Sequence, residues 1–361
     1  MKSFHSAFSG SYVEARAKFM RAATESGLSI QTYEHPERGR EGETLAIDMA
    51  LQGPADATNM LVVSSGCHGI EGFCGSAVQI ALIQDQAWLN ESTSAGLAVL
   101  YLHALNPHGF SWLRRVTHEN VDLNRNFMDF GRELPRNAGY DDIAHLAVPP
   151  EWPISDAVTA EVQRYIADRG FAAFIAALSG GQYHHPLGQM YGGQRPCWSN
   201  LALRRVLREH ASKAKRLGWI DIHTGLGPCG HGERIFFNHD DAASLERTRT
   251  WWGSQVTSYY DGSSDSPPLS GNLWCGVRDE CPQAEYTGIA LEFGTLHYEK
   301  VMLALTADHW LHVQRAPDPH MASRIRQDMR DAFFVDTAEW KDAVLTQAYA
   351  AAAQAVVALL A

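Results

Sequence analysis

Short apolar runs alternate with helical patterns along this chain of 361 residues. Several runs are apolar throughout rather than alternating, which is typical of a strand covered on both faces. The pattern predicts an α/β fold, namely a three-layer α/β/α sandwich with a mixed, mostly parallel central sheet. The predicted strands are 45–52, 59–65, 97–103, 171–178, 217–223, 234–238 and 287–293. The predicted helices are 72–88, 155–168, 199–215, 242–260, 298–314 and, with a break, 321–360.

A single domain over residues 1–361 is the simplest organisation, with a core at about 45–300 and a C-terminal helical extension at about 300–361. The stretch after Asp342 is nearly long enough to span a bilayer, but it is rich in Ala and interrupted by polar residues. It is therefore expected to dock on the body as a helix. Glu14 interrupts the N-terminal segment where a signal peptide needs an apolar core, so a cytoplasmic location is expected.

Composition narrows the classes of partner. The formal net charge is −11 and there is no basic run, so neither nucleic acid nor a membrane surface is an expected partner. The six cysteines contain no Cys-x-x-Cys pair, which argues against a disulfide framework or a thiolate zinc site. A small molecule or peptide remains the expected ligand, and a homo-oligomer is compatible with the sequence.

Polar residues gather where the predicted strands end, and ligand sites in open α/β sheets lie beyond the carboxyl ends of strands. His68 and Glu71 follow the run 59–65, and a His and a carboxylate at this spacing can converge on one cation. His223 ends another run and offers a third ligand, although a histidine that merely caps a buried strand is a common alternative. Glu292 follows a buried run directly and needs a partner there, because an unpaired buried carboxylate is costly.

The segment 106–127 carries Arg114, Arg115 and Arg125 together with several asparagines. An arginine side chain presents a planar fork that binds a carboxylate through two hydrogen bonds, and asparagine adds a neutral donor. The segment is consistent with a site for one carboxylate, or with an Asn-rich surface turn.

These residues resemble the zinc carboxypeptidase (M14) family in their order and broad spacing, over about residues 45–300. The resemblance is strongest to its DUF2817 branch, and the aspartoacylase and succinylglutamate desuccinylase relatives share the same core set. The residues that carry it are His68-x-x-Glu71, the turn at 106–110, Asp122-Leu-Asn124-Arg125-Asn126-Phe127, Gly181-Gln182-Tyr183, Tyr191-Gly192-Gly193, Asp221-Ile-His223-Thr-Gly-Leu-Gly and Glu292.

The resemblance implies a zinc-dependent hydrolase that cleaves a peptide or N-acyl amide bond next to a free carboxylate. It implies that Zn²⁺ is bound by three side chains, namely His68, Glu71 and His223. Asp122 would orient a ligating imidazole, as metal-bound histidines require.

The resemblance also implies the roles of the remaining site residues. Asn124 and Arg125 would bind the substrate's carboxylate. Arg115 would stabilise the oxyanion, with Arg114 as the alternative because the spacing does not separate them. Glu292 would act as general base and then as general acid.

One departure from the family pattern concerns substrate choice. Carboxypeptidases place a mobile Tyr about twenty residues before the catalytic Glu, and that window here contains none. The nearest tyrosines, Tyr259, Tyr260 and Tyr286, do not align. This leaves open an aspartoacylase-like deacylase of small N-acyl amino acids and, less favoured, a non-catalytic binding module. A two-metal aminopeptidase would use Asp221 as an extra ligand.

Other features favour structural roles. The pair His309 and His312 has no third ligand nearby, and Cys67 is expected to pack rather than react. The loop at Gly180 lacks the Lys-Ser/Thr of a phosphate-binding loop. His184 and His185 in the same loop either line the pocket or have a purely structural role, and the sequence does not favour one of these over the other.

Overall fold

The structure, a computed structural model, describes residues 4–93, 96–313 and 318–361. Its centre is a seven-stranded sheet in the spatial order β1-β2-β4-β3-β5-β7-β6. The strands, numbered in chain order, are β1 (Ser29–Arg38), β2 (Thr44–Gln52), β3 (Asn59–Ser65), β4 (Leu97–His103), β5 (Arg216–Cys229), β6 (Gly232–Phe236) and β7 (Glu285–Gly294).

The four central strands, β4, β3, β5 and β7, run parallel to one another. On the two flanks β2 pairs antiparallel with β4, and β6 pairs antiparallel with β7. Edge strand β1 pairs antiparallel with β2. The predicted mixed sheet is confirmed. Because β4, β3, β5 and β7 are parallel, their carboxyl ends all lie at the same edge of the sheet.

The α-helices are α1 (Tyr12–Glu25), α2 (Gly72–Gln84), α3 (Gln86–Glu91), α4 (Pro107–Trp112), α5 (Ala138–Ala147), α6 (Asp156–Arg169), α7 (Phe171–Ser179), α8 (Trp198–Val206), α9 (Ala242–Trp252), α10 (Cys275–Glu280), α11 (Tyr298–Val313), α12 (Pro319–Phe333) and α13 (Ala338–Leu360). Short 3-10 turns occur at His5–Ala7, Gly69–Glu71 and Leu123–Arg125, and a π turn at Leu207–Ala211 continues α8.

Helices cover both faces of the sheet. On β3, Leu61 and Val63 pack in a core layer with residues of α1, α2, α9 and α13. Met60 and Val62 point to the opposite face and pack with residues of α8 and α10. Because side chains alternate along a strand, a run that is apolar throughout is buried on both sides. The three-layer α/β/α architecture is therefore confirmed.

The Ala-rich C-terminal segment forms α13, which docks on the sheet as predicted. Val344, Ala348 and Leu359 are buried in the same core layer as β3 and β5. By length and composition α13 could cross a bilayer, yet 44% of its most apolar window is buried inside the fold.

The predicted strand at 171–178 is wrong, because this run forms α7. Four of its eight residues are Ala, the best helix former, and only Ala177 and Leu178 are buried in the helix. An apolar run is expected to be a strand when it is buried on both faces, and the run at 171–178 is not buried in this way.

Three predicted helices differ in their bounds. The helix at 72–88 divides at Asp85, whose side chain caps α3. The helix at 199–215 passes into a π turn after Val206. The helix at 242–260 ends at Trp252, before Gly253, whose φ is 96°. Strand β1 was not predicted, since its exposed charged residues and Pro36 resemble a loop.

Candidate active site

Three neighbouring parallel strands bring the predicted site residues to one edge of the sheet. β5 lies between β3 and β7, and His223 of β5 is directly opposite Glu292 of β7 in the register. His68 follows the end of β3, and the 3-10 turn Gly69–Glu71 then leads into α2. The parallel order of these strands is the reason why residues more than 220 positions apart meet.

The side chains of His68, Glu71 and His223 converge. The Nδ1 atom of His68 is 2.8 Å from Glu71 Oε1, and the Nδ1 atom of His223 is 2.9 Å from Glu71 Oε2. The two Nδ1 atoms are 3.2 Å apart. All three side chains are buried, and each offers one ligand atom to a common point. Two imidazole nitrogens and one carboxylate are a donor set that zinc takes in catalytic sites, so these residues fit that ion.

Asp221 orients His223. Its Oδ2 atom is 2.6 Å from His223 Nε2, and its Oδ1 atom accepts a hydrogen bond of 2.5 Å from the Ser64 hydroxyl. The indole N–H of Trp219 donates in turn to Ser64 Oγ over 2.6 Å. A carboxylate on Nε2 holds the ring proton there and leaves the Nδ1 lone pair for a cation. From the sequence, Asp221 was expected only as an extra metal ligand, although its spacing from His223 places both side chains on one face of β5.

Asp122 and Arg115 contact the outer side of His68. Asp122 Oδ1 lies 3.3 Å from His68 Nε2, and Arg115 Nε donates to Asp122 Oδ2 over 3.0 Å. Burial alone would raise the pKa of Asp122, but the charges of Arg115 and Arg125 hold this pKa well below its usual range. Arg115 Nη2 lies 2.7 Å from His68 Nε2 and can only donate, so in this structure Nε2 accepts a hydrogen bond from the guanidinium. Arg115 thus holds the carboxylate of Asp122 beside His68.

The structure separates the two adjacent arginines. Arg115 lines the main cavity, and its Nη1 atom is 3.3 Å from Glu71 Oε1. Arg114 points elsewhere, with Nε 3.1 Å from Asp308 Oδ2. Of the two, only Arg115 has its guanidinium at the cluster.

Arg125 and Asn124 also line this cavity. The Nη1 and Nη2 atoms of Arg125 donate to the carbonyl oxygens of Asn124 and Ser179, over 3.0 and 2.8 Å. Its Nε atom is buried without a partner, and the described residues supply it with no carboxylate ion pair. Asp122 is near enough to act on the charge of Arg125 but, among the described residues, forms no direct ion pair with it, so the guanidinium remains available to an anion from outside.

Glu292 is buried at the same cavity, where its Oε1 atom accepts a hydrogen bond of 3.1 Å from the backbone N–H of Leu226. Burial, together with the charge of Glu71, raises the pKa of Glu292 to about 8. A cation held by the neighbouring cluster would favour the ionised form. The environment of Glu292 is thus suited to a group that exchanges a proton.

The cavity is concave, as small-molecule sites are. Its remaining walls are largely apolar and include Ile235, Phe237 and Leu305. Of the tyrosines named from the sequence, Tyr259 belongs to the lining. Tyr298, at the start of α11, also lines the cavity, and no signal in the sequence marks this residue.

The other candidate residues have structural contacts. His185 pairs with Asp141 at 2.8 Å, and both His184 and His185 lie outside the cavity lining. His309 Nδ1 is 3.1 Å from the Leu305 carbonyl, and His312 lies 3.3 Å from Asp308.

Cys67 lies near Asp221 and His223, where three ligand atoms also approach one another. Burial and the charge of Asp221 raise the pKa of the Cys67 thiol well above its usual value. Because a metal needs the thiolate, and Asp221 is already paired with His223, the cluster of His68, Glu71 and His223 is the better metal site.

Residues 8–347 match the family described as "Protein of unknown function (DUF2817)". The chain belongs to the DUF2817 family. This match confirms the resemblance to that family, and no curated protein matches this DUF2817 chain.

Solved structures that are similar to the DUF2817 chain include carboxypeptidase A of Helicoverpa armigera, at 13% identity over 91% of this chain and 75% of the other, with a TM-score of 0.46. Bovine thrombin-activatable fibrinolysis inhibitor matches at 10% identity over 96% and 99%, with a TM-score of 0.44. A succinylglutamate desuccinylase/aspartoacylase family protein of Shewanella amazonensis matches at 14% identity over 81% and 75%, with a TM-score of 0.38. At these identities and TM-scores the likenesses say nothing about the activity of this chain.

Proposed function

We propose that this protein is a zinc-dependent hydrolase that cleaves an amide bond next to a free carboxylate. The observation that carries the proposal is that one cavity is lined by three groups: the convergent cluster, the unpaired guanidinium of Arg125 and the carboxyl of Glu292. These are the parts needed to activate water, to bind a carboxylate and to move a proton.

His68, Glu71 and His223 would hold the metal, and Asp221 would accept the outer ring proton of His223. A metal on Nδ1 of His68 would leave the ring proton on Nε2, which would then donate to Asp122 instead of accepting from Arg115. Bound zinc supplies a water whose pKa is lowered to about 7 and a positive charge that polarises a carbonyl.

The protein's own groups would perform the remaining work. Arg125 and Asn124 bind the substrate carboxylate and so fix the scissile carbonyl in the cavity. Glu292 accepts the proton of the attacking water and later delivers it to the leaving nitrogen. Arg115 donates to the carbonyl oxygen as negative charge develops there.

A deacylase of small N-acyl amino acids is the second candidate. It is favoured by the window about twenty residues before Glu292, which lacks the Tyr that carboxypeptidases place there. Hydrolysis of peptides and of N-acyl amino acids should be compared on the same preparation. Cleavage of peptides alone would rule out the deacylase, and cleavage of N-acyl amino acids alone would rule out the peptidase.

The first test of either activity is zinc content after purification from zinc-replete medium, with one ion per chain expected. The second is the variant Glu292→Gln, which should keep the metal and lose amide hydrolysis by about a hundredfold or more. Glu285→Gln, an equal charge change on the same strand outside the cavity, is the matched control. A wild-type protein without zinc, or a fully active Glu292→Gln variant, would refute the proposal.

A further inference from the structure

A second cavity lies between the start of α1, the turn that joins β1 to β2, and α12. It shares no lining residue with the candidate active site. Its lining contains three arginines, Arg40 from the turn and Arg326 and Arg330 from α12. We call it the arginine cavity.

Two of these arginines have unsatisfied donors. The Nε atoms of Arg326 and Arg330 are buried and have no hydrogen-bond partner within the described part of the chain. The nearest carboxylate oxygens to Arg330 belong to Asp331 and Asp336, at 3.7 and 3.9 Å, which is too long for hydrogen bonds. A buried donor without an acceptor costs free energy that an incoming acceptor would recover.

The fold holds these charges in place. The guanidinium carbon of Arg330 lies 5.4 Å from the ring centroid of Phe73 and 5.0 Å from that of Phe334, so two aromatic faces stabilise the cation. Arg40 lines the same cavity as Arg326, and burial and the charge of Arg40 lower the pKa of Arg326 although Asp308 acts in the opposite direction. Neighbouring cations that lack a shared acceptor favour binding of an anion between them.

The cavity lining also contains two carboxylates, Glu41 and Glu43, but they do not neutralise the three arginines. Glu43 accepts hydrogen bonds from the Ser111 hydroxyl and from the backbone N–H of Glu41. Glu41 has a side chain that is 75% exposed, and its nearest approach to Arg40 is 3.8 Å. Neither forms an ion pair with Arg326 or Arg330 in the residues that the structure describes.

We propose that the arginine cavity is a binding site for an oxyanion, either a phosphate or a carboxylate group of a small ligand. Guanidinium groups bind both through paired N–H donors. Tyr12 and Val13, the first residues of α1, line the same cavity, and the first N–H groups of a helix lack intrahelical acceptors.

Calorimetric titration of the zinc-loaded protein with inorganic phosphate, and separately with succinate, tests the proposal at constant ionic strength. One saturable site is expected for at least one anion, and the anion that binds identifies the group. Arg326→Gln should weaken that affinity about tenfold or more, the effect of losing one charged hydrogen bond. Arg40→Gln provides a second variant if circular dichroism shows that Arg326→Gln does not fold.

Two controls make the outcome decisive. Arg324→Gln makes the same charge change on an exposed position of α12 outside the cavity and should leave the affinity unchanged. If it weakens binding as much as Arg326→Gln, the effect is general charge attraction and the proposal fails. Arg125→Gln separates the two cavities, because loss of binding in this variant alone would place the anion in the candidate active site. Absence of saturable binding to the wild type would also overturn the proposal.

Discussion

Asp221 Oδ2 lies 2.6 Å from His223 Nε2, and the two residues are two positions apart on the same strand. The contact decides which imidazole nitrogen remains available to a cation. The carboxylate is itself held by Ser64, so its position is set by β3 as well as by β5.

Asp221→Asn should therefore lower zinc affinity about 10- to 100-fold, the usual effect of removing the group that orients a ligating histidine. Affinity is measured by competition with a chromophoric chelator. Asp279→Asn, which removes a carboxylate from an ion pair with Arg204, is the control and should have no effect. Unchanged affinity in Asp221→Asn would show that this carboxylate does not orient the ligand.

Arg125→Gln should raise KM for a substrate with a free carboxylate about tenfold or more, with a smaller effect on kcat, because a charged hydrogen bond is lost from binding. Arg125→Lys should recover part of the loss, since it restores the charge without the planar fork. The same substrate with its carboxylate amidated provides the control. Equal losses on both substrates would contradict the role of Arg125 in carboxylate binding.

Gly69→Ala should disrupt the turn that carries His68 and Glu71. A Cβ atom at Gly69 would lie 2.1 Å from the carbonyl carbon of Gly109 and 2.2 Å from the amide nitrogen of Phe110. Both are backbone atoms of α4, so the turn itself must move, and overpacking of this kind typically costs about 1–3 kcal/mol.

Denaturant unfolding and zinc titration should both show the defect in Gly69→Ala. Gly131→Ala is the control, because its added Cβ would meet at 3.2 Å only a side-chain oxygen of Asp129. If Gly69→Ala has wild-type stability and zinc affinity, α4 can shift to make room for the Cβ atom without displacing His68 and Glu71.

The stability of the fold should decrease as the pH falls from 6.5 towards 4. Burial lowers the pKa of His103 and of His309 to about 4 from the ordinary 6.5. In this window the unfolded chain binds protons that the folded chain does not, so each histidine reduces the free energy of unfolding by up to about 1.4 kcal/mol per pH unit.

The variant His103→Gln tests this pH dependence. His103 accepts or donates a hydrogen bond with Ser76 over 2.9 Å, which Gln can replace. Unfolding by urea at pH 7, 6 and 5 should show a shallower decline for His103→Gln than for the wild type. The exposed His297→Gln variant should follow the wild type. An unaltered slope in His103→Gln would show that His103 does not titrate in this window.

The strand-end residues were predictable because their signal is local. A strand buried on both faces must be apolar, so a polar residue that follows such a run stands out, as His223 and Glu292 do. The strand ends were predicted too early, because β5 continues to Cys229 and β7 to Gly294. The run at 171–178 shows the limit of the same reasoning. This run is as apolar as a buried strand, but it lies outside the sheet and forms a helix.

The assignment of Arg115 rather than Arg114 required the fold. The two residues are adjacent, and no spacing rule separates them. Asp308 of α11, 194 residues further along the chain, binds Arg114 and leaves Arg115 beside the cluster. The arginine cavity was hidden for the same reason, since its charges come from a turn and a helix that are almost 290 residues apart.

The sequence by itself determined the α/β class, the family and the set of side chains placed at the strand ends, because burial patterns and short motifs are properties of neighbouring residues. The tertiary structure decided the contacts that the sequence left open. Strand order placed β5 between β3 and β7, and helix docking placed Asp308 on Arg114 and α12 beside Arg40. Such contacts depend on distances between remote segments, which no local pattern encodes.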